Sequence, residues 1–178
     1  MRKFKNSKLG KIITALFCVA VLSCTIVVYI GERVKIHGAS METILKDGDS
    51  VMIDKVSYRF ADPERYDIVI FPSKELQNEI LIKRIIALPG EKIQIKNGHV
   101  YIDDKLLKSD TYSRELTNFA GTADEGFTLG DDEYFCLGDN RQNSVDSRYD
   151  TVGCIKKSNI IGKAVFRVFP LRNFGTIK

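Results

Sequence analysis

Histidine is nearly missing from this chain: among 178 residues there are only His37 and His99. The scarcity matters because residues 38–45 read "GASMETIL", with Ser40 in a position that invites a nucleophilic role, and His37 lies only three residues away. A serine nucleophile here would need a proton acceptor other than histidine. Cysteine is also sparse. Cys18 and Cys24 fall in an apolar run, and Cys136 and Cys154 come later, with no CxxC pair and no His/Cys cluster at metal-ligand spacing. No metal and no cofactor are expected. A disulfide between Cys136 and Cys154 is permitted outside the cytoplasm, but its geometry cannot be read from sequence. A basic face is missing as well. The chain carries +4, yet Arg2, Lys3, Lys5, Lys8 and Lys11 stand in the first eleven residues without an acid, so the remainder is at about −1. That excludes the electrostatic footprint of nucleic-acid binding. Beyond residue 30 there is neither long helical periodicity nor an internal repeat.

What is present begins with "IITALFCVAVLSCTIVVYI", residues 12–30, nineteen positions without a charge. A helix of that length matches the hydrocarbon core of a bilayer, so a single transmembrane helix is expected. A cleaved secretory signal has an apolar region of about 7 to 15 residues, shorter than this one. A lipoprotein processed at Cys24, which follows a small residue in "VLSC", is disfavoured because "TIVVYI" continues the span beyond it. Lys and Arg mark the cytoplasmic side. The organisation expected is a cytoplasmic basic tail at 1–11, a membrane span at 12–30 and an extracytoplasmic domain at 31–178, a size that suits one core.

In that domain, short apolar and β-branched runs alternate with turn signals: "SVMIDKV" (50–56), "YDIVIF" (66–71), "EILIKRIIAL" (79–88), "KIQIKNGHVYID" (92–103), "EYFCL" (133–137) and "KAVFRVF" (163–169). They read as strands, and Asn97-Gly98 between alternating segments reads as a hairpin turn. The expectation is a mostly β, antiparallel, barrel-like domain. Residues 108–132 are polar and weakly patterned, a long excursion with no chemistry apparent in it.

Lys83 sits among apolar residues in "LIKRIIALPG", with Arg84 beside it. Adjacent strand residues face opposite ways, so only one of the two is expected in the core. A lysine removed from water becomes easier to deprotonate, and neutral lysine can serve as a general base for serine. A third stretch, "LGDNRQNSVDSRYDTVG", packs Asp139, Asn140, Arg141, Asn143, Ser144, Asp146, Ser147 and Arg148 closely together. Hydroxyl, carboxylate and guanidinium groups at that density could orient a buried amine.

At this point the chain resembles the bacterial type I signal peptidases. The likeness runs in order through "GASM", "KDGDSVMIDKV", "YDIVIF", "IKRIIALPGE", "YFCLGDNRQNSVDSR" and "IIGKAVFRVFPLRNFG". It implies a membrane-bound serine endopeptidase that removes signal peptides from exported preproteins on the outer face of the cell membrane. Ser40 would be the nucleophile and Lys83 the base. Ser144 would hydrogen-bond the lysine amine, Asp146 with Arg148 and Arg141 would brace the loop, and the Ser40 N–H would hold the oxyanion. Substrate would dock as an added strand beside the nucleophile and Leu81 to Lys83, with small residues, as in Ala-x-Ala, one and three positions before the cut. Ile36, Met41, Leu45, Leu81 and Ile82 are the candidate pocket residues. Partners implied are exported preproteins and the lipid bilayer, with the protein export channel left open.

The chain departs from the family pattern in places. Gly38 stands where some members place a second oxyanion donor, Thr43 replaces the proline of Ser-Met-x-Pro-Thr-Leu, and Tyr66 and Ala87 each replace a common glycine. Two other classes remain open: a self-cleaving regulator of the SOS repressor type, which would need a DNA-binding module where the span lies, and a catalytically silent anchored binding domain.

Overall fold

The computed structural model describes residues 8–73 and 79–177, without the side chains of residues 22–30. Chain contacts divide it into two compact units, residues 1–32 and 33–178. The first unit contains one helix, α1 (Lys8–Ile30), and most of the expected basic tail, residues 1–7, lies outside the described residues. Of the side chains described on α1, Leu9, Ile12, Ile13, Leu16, Phe17 and Val19 are exposed. Among the described residues no helix is long and apolar enough to cross a membrane. The last nine positions of the span expected at 12–30 lie outside the described side chains.

The second unit is mostly β. The strands are β1 (Gly31–Lys35), which begins in the first unit, and β2 (Ser50–Asp54), β3 (Ile68–Ser73), β4 (Glu79–Ala87), β5 (Lys92–Lys96), β6 (His99–Ile102), β7 (Lys105–Leu106), β8 (Phe127–Thr128), β9 (Glu133–Leu137), β10 (Ile155–Lys156), β11 (Gly162–Phe169) and β12 (Gly175–Thr176). A large sheet runs β1-β2-β11-β3-β4-β9-β10, with β12 added to β11, and a smaller one runs β7-β6-β5-β8. The pairings between β2 and β11, β3 and β11, β3 and β4, β4 and β9, and β5 and β6 are all antiparallel. Among the described residues they follow an open path instead of closing into the barrel-like ring expected. The hairpin forms where Asn97 and Gly98 invite it: both have positive φ, 53° and 77°, and Lys96 pairs with His99 across the turn.

Three apolar clusters hold the sheets. One collects Ile36, Met41, Leu45, Ile68, Ile70 and Ile82, and another collects Val69, Phe71, Leu81, Ile85, Tyr134 and Cys136. Successive residues of β3 and β4 therefore feed opposite clusters, so these central strands are covered on both faces. The third cluster joins Ile86, Phe135 and Leu137 to Ile93, Ile95, Val100 and Ile102 of the small sheet. Two-sided burial corrects the expectation for Lys83 and Arg84: they do face opposite ways, yet both are buried, at 3% and 0% exposure. The two later cysteines are free. Cys136 belongs to the cluster of Val69, whereas Cys154 packs against the cluster of Ile93.

Candidate active site

Ser40 follows Gly38, whose φ of +83° and N–H bond to Asp47 Oδ1 (3.0 Å) turn the chain sharply as it leaves β1. A tight turn continues, with Glu42 N–H donating to Ala39 O at 3.1 Å and Leu45 N–H to Met41 O at 2.7 Å. Ser40 thus sits on a compact corner, and its hydroxyl meets Lys83 of β4. Lys83 Nζ lies 2.8 Å from Ser40 Oγ. Burial is the main influence on the amine and lowers its pKa from 10.5 to about 8, opposed by the charge of Asp146, which favours the ammonium form. Neither histidine hydrogen-bonds Ser40 among the described residues.

The pair opens onto a cleft of about 410 Å³ lined by residues 34–40, Ile70, residues 79–83, Asn143 and Val145. β4 pairs with β9 only from Arg84 onward, so its Glu79–Lys83 half has no partner strand on that edge among the described residues. Of the five pocket candidates, Ile36, Leu81 and Ile82 line the cleft. Met41 and Leu45 do not; they are core residues in the Ile36 cluster.

The loop after β9 clasps the nucleophile from the other side. Asn140 N–H donates to Ser40 O (3.0 Å) and Asn140 Nδ2 to Ala39 O (3.1 Å). A Cβ on Gly138 would come within 2.2 Å of Ser144 Oγ and 2.6 Å of Ser40 O, so only glycine permits this approach. Asp146 accepts from Gly138 N–H (3.0 Å) and from Arg148 Nε (2.7 Å) and Nη2 (2.8 Å), with the pair fully buried. Such charge-assisted forks are strong and geometrically specific. Arg141 is buried too, but it does not pair with Asp146. It donates to Gly138 O, to Thr117 Oγ1 and to Asp110 Oδ1 (2.7 Å). Ser144 is buried, yet its Oγ has no hydrogen-bond partner among the described residues. The bond expected from it to the lysine amine is not made.

The family model for signal peptidase, peptidase S26, matches residues 9–169. The chain belongs to this family. Probable signal peptidase I-2 of Synechocystis sp. is 35% identical over 88% of this chain and 72% of its own length. Signal peptidase I V of Bacillus subtilis is 32% identical over 82% of this chain and 93% of its own length. A solved signal peptidase I from Enterococcus faecalis V583 is 31% identical, covering 58% of this chain and 97% of its own, with a TM-score of 0.48. Membership makes the chain a serine peptidase, a hydrolase.

The chain's departures from the signal peptidase pattern have structural consequences. Tyr66 has φ +74°, a conformation natural to glycine. Its ring lies 5.0 Å from Tyr112, which in turn covers the Arg84 guanidinium at 3.7 Å. Arg84 donates to Tyr66 O (2.9 Å) and forks onto Asp139 (2.8 and 2.7 Å). Ala87 is buried in the third cluster without positive φ, so glycine is not required there. The sequence placed Asp139 and Asn140 in the polar run without their individual roles, and did not point to Gly138, the Arg84–Asp139 pair, or Asp110, Tyr112 and Thr117 of the polar excursion. Most of their roles depend on partners distant in sequence, from 24 residues for Thr117 and Arg141 to 101 for Asn140 and Ala39, and the local hint was the adjacency of Asp139 and Asn140 to Gly138.

Proposed function

We propose that this protein is a signal peptidase that cleaves signal peptides from exported preproteins with a Ser40/Lys83 dyad. The observation that carries the reading is the 2.8 Å contact between Ser40 Oγ and a buried Lys83 amine whose pKa is lowered to about 8. Neutral Lys83 accepts the Ser40 proton as Oγ attacks the scissile carbonyl. The resulting ammonium returns that proton to the leaving amine, and Lys83 then activates the water that releases the acyl group. The developing oxyanion is held by the Ser40 N–H, which donates to no other group among the described residues. An extended substrate adds to the open Glu79–Lys83 edge of β4, with Ile36, Leu81 and Ile82 receiving its small residues. Asp146 with Arg148, and Arg141 with Asp110, keep the loop that clasps Ser40 in place.

Residues 12–30 anchor the enzyme as a single membrane span, with the basic tail inside the cell and residues 31–178 outside. Support comes from nineteen positions without a charge and from the exposed apolar side chains of α1. The full chain in detergent, given a preprotein with Ala-x-Ala before its cut, is expected to release the mature protein, and Ser40→Ala to release none. Cleavage by Ser40→Ala at the wild-type rate would end this reading.

A further inference from the structure

Ser40 separates two cavities along the chain. The cleft described above is lined by residues 34–40. A second cavity, of about 350 Å³, begins just past the nucleophile and is lined by Glu42, Thr43, Lys46, Arg114, Glu115 and Asn140, with Asp139 and Arg141 as its floor. Asn140 is the residue whose amide groups hold the backbone carbonyls of Ser40 and Ala39, so this cavity borders the residue that fixes the nucleophile's backbone. Its chemistry differs from that of the cleft. The floor is already neutralised, Asp139 by Arg84 and Arg141 by Asp110. The charges that face the cavity come from Glu42, Lys46, Arg114 and Glu115, all exposed and without ion-pair partners among the described residues.

We propose that this polar cavity is the subsite for the first residues of the mature chain, those just after the cut, and that it selects polar and charged residues there over apolar ones. The inference rests on the peptidase reading above. Residues before the cut lie in the apolar cleft and the chain must continue past Ser40, where the next walls it meets are Glu42, Thr43 and Asn140. Lys46 and Arg114 attract acidic side chains, while Glu42 and Glu115 attract basic ones. A neighbouring cavity of about 270 Å³ shares Arg114, Glu115 and Arg141 and prolongs the path.

The test uses the full chain in detergent with three peptides, identical through Ala-x-Ala and bearing Asp, Lys or Leu as the second residue after the cut. The wild type should cleave the Leu peptide with kcat/KM at least about threefold below the other two. In the double variant Lys46→Glu/Arg114→Glu the Lys-to-Asp ratio of kcat/KM should rise at least about fivefold, the size two exposed charge contacts allow, and the change should fade at about 0.5 M salt. Lys105→Glu, a reversal in the small sheet, should leave the ratio unchanged. Equal cleavage of all three peptides by the wild type, or a ratio unmoved in the double variant, overturns the inference while the peptidase reading stands. Failure to cleave any of the three overturns both.

Discussion

Replacing Lys83 with methionine should make the protein more stable at neutral pH, because the fold holds an amine where water is excluded. Burial moves the Lys83 pKa from 10.5 to about 8. At about 1.36 kcal/mol per unit, the native state bears a cost of about 3 kcal/mol while both states are protonated. The sign follows from the direction of the shift. Below about pH 8 the cost is complete. Between about 8 and 10.5 the folded protein releases its proton before the unfolded chain does, so stability rises with pH, and above that window the cost is gone. Methionine has a similar length and no charge, but it leaves the Ser40 hydroxyl without its bond, a loss of about 1 kcal/mol. The net expectation at pH 7 is a gain of about 2 kcal/mol, or about 4 to 8 °C in Tm for a domain of this size. Urea unfolding of wild type and Lys83→Met in the same detergent, at pH 7 and at pH 10, checks this, and taking the difference between the two proteins cancels the titration of other groups. The variant's advantage should shrink or reverse at pH 10. A variant less stable than wild type at pH 7, or a difference that does not change with pH, would refute the claim that Lys83 is held against its charge.

Two further substitutions probe the loop after β9. Asp146→Ala leaves the buried Arg148 guanidinium and the Gly138 N–H without their acceptor, so urea unfolding should show a loss of about 3–5 kcal/mol; since Asp146 favours the Lys83 ammonium, the ascending limb of the pH–rate profile should also move to lower pH. Gly138→Ala places a methyl group 2.6 Å from Ser40 O, so a steady-state assay should find kcat reduced by about 100-fold or more, the expected consequence of displacing a nucleophile by roughly an ångström.

Much of the β domain was legible because its longer strands advertise themselves. The runs at 50–56, 66–71, 79–88, 92–103, 133–137 and 163–169 each overlap observed strands, and Asn97-Gly98 dictates its own turn. The two-residue strands β7, β8, β10 and β12 carry no such pattern, since they form only where a longer neighbour offers an edge. Burial of both Lys83 and Arg84 could not be foreseen from alternation, because alternation says which face a side chain takes and not whether that face is covered. For the same reason Met41 and Leu45, next to the nucleophile in sequence, lie in the core beneath it instead of in the cleft. The excursion at 108–132 looked empty of chemistry, yet Asp110, Tyr112 and Thr117 secure Arg141 and Arg84. A polar loop residue acquires such a role only from what the fold sets against it. Ser144 is the reverse case: the resemblance implied a bond to Lys83, and its hydroxyl is without a partner among the described residues.

The pH dependence of kcat/KM for cleavage of an Ala-x-Ala preprotein by the full chain tests the Ser40/Lys83 proposal most directly. With Lys83 as the base, activity requires the neutral amine, and the profile should climb through an apparent pKa of about 8. Lys83→Arg, which stays charged across the accessible range, should show no ascending limb and no cleavage at any pH. A profile flat from pH 6 to 10, a limb centred near the ordinary histidine value of about 6.5, or cleavage by Lys83→Arg at a rate near wild type would contradict the account.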